Sequence, residues 1–116
     1  MQNIVIVDGV RTPFGRLGGG LKKFFPADLA AMTVKELVKR NELDPKEIGA
    51  VYMGSARGDA RCPNFARYTS LLAGLPYETS AAFVEMQCGS AIDSINHAAW
   101  KILSGAADVV VAGGFE

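Results

Sequence analysis

Strand-like runs alternate with helix-like segments along the whole 116-residue chain. Ile4-Val5-Ile6-Val7, the stretch from Ala50 to Met53, the short run near Ala82 to Val84 and Ala107 to Ala112 are apolar runs without strict alternation. That is the pattern of strands covered on both faces. Between them, apolar residues recur at three- and four-residue steps, the helical period. Parallel strands need a crossover, usually a helix. The order strand, helix, strand, helix, strand, helix, strand therefore predicts an α/β fold, a mixed and mostly parallel sheet with helices on both faces. With 49% hydrophobic and 21% charged residues, the chain reads as one globular domain over residues 1–116.

Local signals place the helices. Pro26 suits a first helical position and Asp28 a first turn, ahead of Leu29, Ala30, Thr33, Val34, Leu37 and Val38 on one side and Lys35, Glu36, Lys39 and Arg40 on the other. Asp44-Pro45-Lys46-Glu47 reads as N-cap, N1 and N3 of a single helical turn before the second strand. A helix from about Asn64 to Ala73 ends at Gly74, with Pro76 beyond. In the last helical segment Ala91, Ile92, Ile95, Ala98, Ala99, Ile102 and Leu103 carry the period, and Gly105 follows as a stop.

The loops and the charge balance exclude several functions. Gly9 to Phe25 combines five glycines with Arg11, Arg16, Lys22 and Lys23. It lacks both the dinucleotide fingerprint and the Gly-Lys-Ser/Thr of a phosphate loop, so it reads as a surface loop. Twelve basic and twelve acidic residues, with no basic block, disfavour nucleic acid. No apolar run approaches the roughly 20 residues that span a bilayer, and the first residues lack the pattern of a signal peptide. A cytoplasmic location is expected. The two cysteines, Cys62 and Cys88, are too far apart for a metal-ligand pair and have no histidine cluster beside them.

Cys88 is the candidate catalytic residue. The stretch from Phe83 to Gly105 predicts a short strand that delivers it onto the first turn of a helix, where unpaired N–H groups favour a thiolate. Gly89 and Ser90 leave room for a ligand. A buried structural cysteine is the alternative. Cys62 precedes Pro63 in a loop with nothing to activate it. His97, the only histidine, stands nine residues after Cys88. That separation puts it about 13 Å along a helix and on the opposite side. Its expected partner is Asp93, four residues back.

Five blocks carry a family resemblance: Arg11-Thr12-Pro13-Phe14-Gly15, Asn64-Phe65-Ala66-Arg67, Leu71 to Pro76, Val84-Glu85-Met86-Gln87-Cys88-Gly89-Ser90 and Ala112-Gly113-Gly114-Phe115-Glu116. In this order and spacing the chain resembles the N-terminal half of a thiolase. The resemblance implies that Cys88 takes an acyl group from acyl-coenzyme A as an S-acyl intermediate, in 3-oxoacyl-CoA condensation or thiolysis. It implies a coenzyme A thioester as substrate, with no permanently bound cofactor. It also places Asn64, Arg67 and the strand near Ala82 to Val84 at a subunit contact, hence a homo-oligomer. The activating histidine, a second cysteine and an asparagine-held water come from a second half in thiolases and have no counterpart here. A companion C-terminal polypeptide is therefore expected, and the broad apolar arc of the last helix, extended by Trp100, suits such a cover. Two positions depart from the family: Glu85 stands where asparagine is common and Ala91 where glycine is. A carboxylate near Cys88 disfavours its thiolate. The rival expectation is a non-catalytic α/β module, either a truncated remnant or an assembly subunit whose partner does the chemistry.

Overall fold

A computed structural model describes residues 3–116. Helix α1 (Pro26–Arg40) is followed by a 3₁₀ turn (Pro45–Glu47), strand β1 (Ile48–Gly54), helix α2 (Phe65–Leu72), strand β2 (Ser80–Val84), helix α3 (Ser90–Leu103) and strand β3 (Val109–Gly114). The strands form a parallel sheet in the order β2-β1-β3. From β1 the chain steps outward to β2 and then crosses back to the other side of β1. Val34 of α1, Val51 and Met53 of β1, Ala66 of α2, Leu75 and Val111 of β3 form the core on one face. The alternate residues of β1 meet α3 on the other face, where the Tyr52 ring lies 5.6 Å from that of His97. The sheet is thus covered on both sides, α1 and α2 on one and α3 on the other.

The local signals fold as written. Asp44 Oδ1 accepts the Lys46 N–H at 3.0 Å, and Glu47 Oε2 accepts the Asp44 N–H at 3.1 Å. This closes a capping box before β1. Replacing Asp44 with alanine is expected to cost about 1 kcal/mol, read as a lower denaturant midpoint at unchanged slope. After α3, Gly105 adopts φ 72°, its N–H reaching Ile102 O at 2.9 Å and that of Ala106 reaching Lys101 O at 3.2 Å. Those two bonds close a Schellman stop.

The first expected strand is corrected. Ile4–Val7 belongs to no sheet, and Val5, Ile6 and Val7 are 71%, 82% and 80% exposed. β-Branched residues favour an extended backbone, but a strand needs a ladder partner, and none lies alongside among the described residues. The next residue also draws the chain elsewhere. Asp8 accepts from Asn41 Nδ2 at 2.9 Å and from Arg40 at 3.2 Å, tying it to the end of α1. The Asn41 amide, the Gly9 N–H and the Arg40 charge hold the Asp8 carboxyl below its usual range. Between Asp8–Leu17, α1 and the outer edge of β3 a cleft of about 750 Å³ remains.

The inward face of α3 is made of small residues. Its buried residues are Ser90, Ser94 and Ala98, spaced four apart, and not the larger apolar positions. Ser94 Oγ lies 2.8 Å from Gly113 O and 2.7 Å from Ala91 O, both within its reach as a donor. A helix so close to a strand backbone has room only for small side chains. Ile92, Ile95, Trp100 and Leu103 consequently face away, 67%, 40%, 60% and 48% exposed, so the expected uncovered outer side is present.

Candidate active site

All three strands are parallel, so Gly54, Val84 and Gly114 bring their carboxyl ends together. In open α/β sheets ligands bind at that edge, near the strand where the winding reverses. Here that strand is β1, and the turn carrying Cys88 leaves β2 directly beside it.

Glycine sets how closely α3 begins. A Cβ on Gly54 would fall on the carbonyl group of Ser90, and one on Gly114 would lie 2.7 Å from Ala91 Cβ and 2.8 Å from Gly54 O. The methyl of Ala91 therefore fits because Gly114 faces it. Ser90, 2% exposed, locks the helix to the turn before it. Its hydroxyl accepts the Met86 N–H at 2.8 Å and donates to Gln87 O at 2.6 Å, with Ser55 O at 3.3 Å as the alternative acceptor.

Cys88 itself is exposed and free, and it precedes α3 by two residues, with Gly89 as N-cap. The expected place in the first helical turn is thus corrected by one tight turn. The Gly89 N–H reaches Met86 O at 3.0 Å and the Ser90 N–H reaches Gln87 O at 3.2 Å. Gln87 takes φ 49°, in the left-handed region that non-glycine residues seldom enter. Glu85 Oε1 accepts the Gln87 N–H at 2.7 Å and its Nε2–H at 3.0 Å. A strand, a strained turn and a helix present the thiol outward, as in a nucleophile elbow.

No imidazole pairs with Cys88 among the described residues. His97 is held by Asp93, its Nδ1 2.9 Å from the backbone carbonyl and 3.5 Å from Oδ2. Since a carbonyl only accepts, Nδ1 carries the proton of that bond. Cys62 is free and half-buried, and burial together with the nearby Asp59 charge pushes its thiol up, so less thiolate is present at neutral pH. Asp59 is itself held down to about 2 by its bonds to Arg61. Asp59 and Arg61 border a second cleft, of about 490 Å³, between Phe25, Arg57 and Glu116. Cys88 is not in its wall.

Asn64 and Arg67 bind within the chain. Asn64 caps α2 by accepting the Arg67 N–H at 2.9 Å and donates to Ala81 O at 3.1 Å. Arg67 donates to Thr79 O at 2.7 Å and Tyr77 O at 3.0 Å. Together they fix β2, which among the described residues is an edge strand with one side unpaired.

The family model for the thiolase N-terminal domain matches residues 4–116. The chain belongs to the thiolase family. It is 42% identical to a 3-oxoadipyl-CoA/3-oxo-5,6-dehydrosuberyl-CoA thiolase of Escherichia coli, over 100% of this chain and 29% of that thiolase. It is 38% identical to a steroid 3-ketoacyl-CoA thiolase of Mycobacterium tuberculosis, over 100% of this chain and 29% of that one. The crystal structure of the Bacillus anthracis acetyl-CoA acetyltransferase superposes with a TM-score of 0.90 at 38% identity, covering 95% of this chain and 28% of that one. The chain thus spans less than a third of the thiolases it matches. No helix in the described residues is long and apolar enough to cross a membrane.

Sequence reasoning found the cysteine of this thiolase turn but not what holds it. The signal for the helix approach was available in Ser90, Ser94 and Ala98 at steps of four, opposite glycines at two strand ends. No local signal announces the Gln87 conformation or the bonds Glu85 makes to it.

Proposed function

We propose that this chain is the nucleophile-bearing N-terminal part of an acyl-CoA C-acyltransferase, acting in 3-oxoacyl-CoA condensation or thiolysis. The observation that carries the proposal is the exposed Cys88, held on a tight turn at the carboxyl edge of the sheet. Its sulfur attacks the thioester carbonyl of acyl-coenzyme A. A bond forms between Sγ and the acyl carbon, the thioester carbon–sulfur bond breaks, and coenzyme A leaves and takes up a proton. Splitting the reaction this way separates acyl loading from the carbon–carbon step. The Cys88 N–H is the donor this chain offers to the tetrahedral oxyanion.

The base that receives the Cys88 proton belongs to a companion C-terminal polypeptide. The exposed Ile92, Ile95, Trp100 and Leu103 support such a partner, because an apolar helix face of this breadth suits a packed interface. The open edge of β2 supports a homo-oligomer. The coenzyme A thioester is a substrate rather than a resident cofactor, and the assembly works in the cytoplasm. The same exposed face favours the rival reading, an assembly module without chemistry of its own.

Acyl labelling separates the two. Incubating the chain and a companion C-terminal thiolase polypeptide with a radiolabelled acyl-CoA is expected to leave the acyl group on the Cys88 peptide. A folded, reconstituted complex that carries no label would leave only the assembly module.

A further inference from the structure

We infer that Glu85 is a positioning residue for Cys88, acting through the backbone of Gln87. Gln87 sits in a conformation that side-chain-bearing residues rarely adopt, so its neighbours must hold it there. Two groups do so from opposite sides. The Glu85 carboxylate takes the Gln87 N–H at 2.7 Å, and the Ser90 hydroxyl donates to the Gln87 carbonyl at 2.6 Å. With both polar groups of one residue pinned, its two backbone torsions have little freedom, and the next α-carbon is that of Cys88. The Gln87 side chain strengthens the clamp by donating Nε2–H to the same Glu85 oxygen at 3.0 Å.

The two halves of the clamp differ in how they can be tested. Ser90 is buried and braces α3 against β1, so changing it disturbs the fold. Glu85 is exposed and, among the described residues, bonds only to Gln87, two residues away. The inference rests on Cys88 being the nucleophile, as proposed above. It turns a departure from the family pattern into a working part of this turn. The carboxylate holds the turn that carries the thiol by its two bonds to Gln87.

The full chain, its Glu85→Gln variant and its Glu85→Ala variant separate the bond from the charge. Glutamine keeps the accepting oxygen and removes the charge, whereas alanine removes both, so the variants share a charge and differ in the bond. Amide hydrogen exchange at Gln87 is expected to be about 10-fold faster in Glu85→Ala than in Glu85→Gln, which stays near the parent chain. Iodoacetamide should alkylate Cys88 several-fold more slowly in Glu85→Ala than in Glu85→Gln, with Cys62 of the same molecule as the reference. Equal Gln87 exchange in the two variants overturns the inference. If exchange separates them while Cys88 in the parent chain reacts no faster than in the urea-unfolded chain, the clamp stands and the nucleophile assignment fails.

Discussion

Exchanging Cys88 for alanine is expected to abolish acyl transfer by the complex with a C-terminal thiolase polypeptide. Turnover should fall by at least ~10³-fold, because a covalent route cannot proceed without its nucleophile and residual binding groups recover little of the rate. Coenzyme A release on mixing with acyl-CoA, followed with a thiol reagent, gives the rate. Mass spectrometry of the chain shows whether any acyl group remains attached. The fold should not register the change. Cys88 is exposed and lies outside the helix, and surface substitutions of this kind stay within about 0.5 kcal/mol. Cys62→Ala serves as the reciprocal control and should keep full turnover, since its thiol is pushed up by burial. Turnover retained by Cys88→Ala at more than about a tenth of the parent rate would move the chemistry to another residue.

Gly54→Ala carries the second large effect, and here the loss is structural. The added methyl would fall on the backbone carbonyl of Ser90, and Ala91 N lies only 2.7 Å away. No flexible side chain can yield there, so the start of α3 must shift away from β1. That shift pulls Ser90 from Met86, Gln87 and Ser55 and releases the turn that carries Cys88. A loss of about 3 kcal/mol is expected, which for a domain of this size lowers the melting temperature by about 10 °C or more. Gly58→Ala, with nothing within 4 Å of its added methyl, should be within about 0.5 kcal/mol of the parent. Thermal melts followed by circular dichroism compare the two. A Gly54→Ala chain as stable as Gly58→Ala would mean that α3 is not seated as described.

What could be read in the sequence is what short-range chemistry decides. The Asp44 capping box, the glycine stop at Gly105 and the Asp93–His97 pair all follow from residues within a few positions of one another, as do the apolar runs that become the three strands. The failures are contacts made across the fold. Ile4–Val7 has the composition of a strand, yet composition does not supply a ladder partner. In α3 the apolar period was legible, but not that glycines at the ends of β1 and β3 bring Ser90 and Ala91 against the strand backbones, leaving Ser90, Ser94 and Ala98 as its buried residues. At the candidate site the thiol was legible, while its displacement from the helix was not. That displacement depends on a carboxylate and a buried hydroxyl gripping one residue.

The bare Val5-Ile6-Val7 segment also bears on how the polypeptide behaves in a tube. Its amide groups, like those on the outer sides of β2 and β3, are templates on which another molecule can lay down a strand. Self-association is expected to rise with concentration and, being driven by hydrogen bonding and dehydration, to persist in added salt, as light scattering across a dilution series would show. Three residues that lend nothing to the stability of the interior thus add a third such template to the two sheet edges.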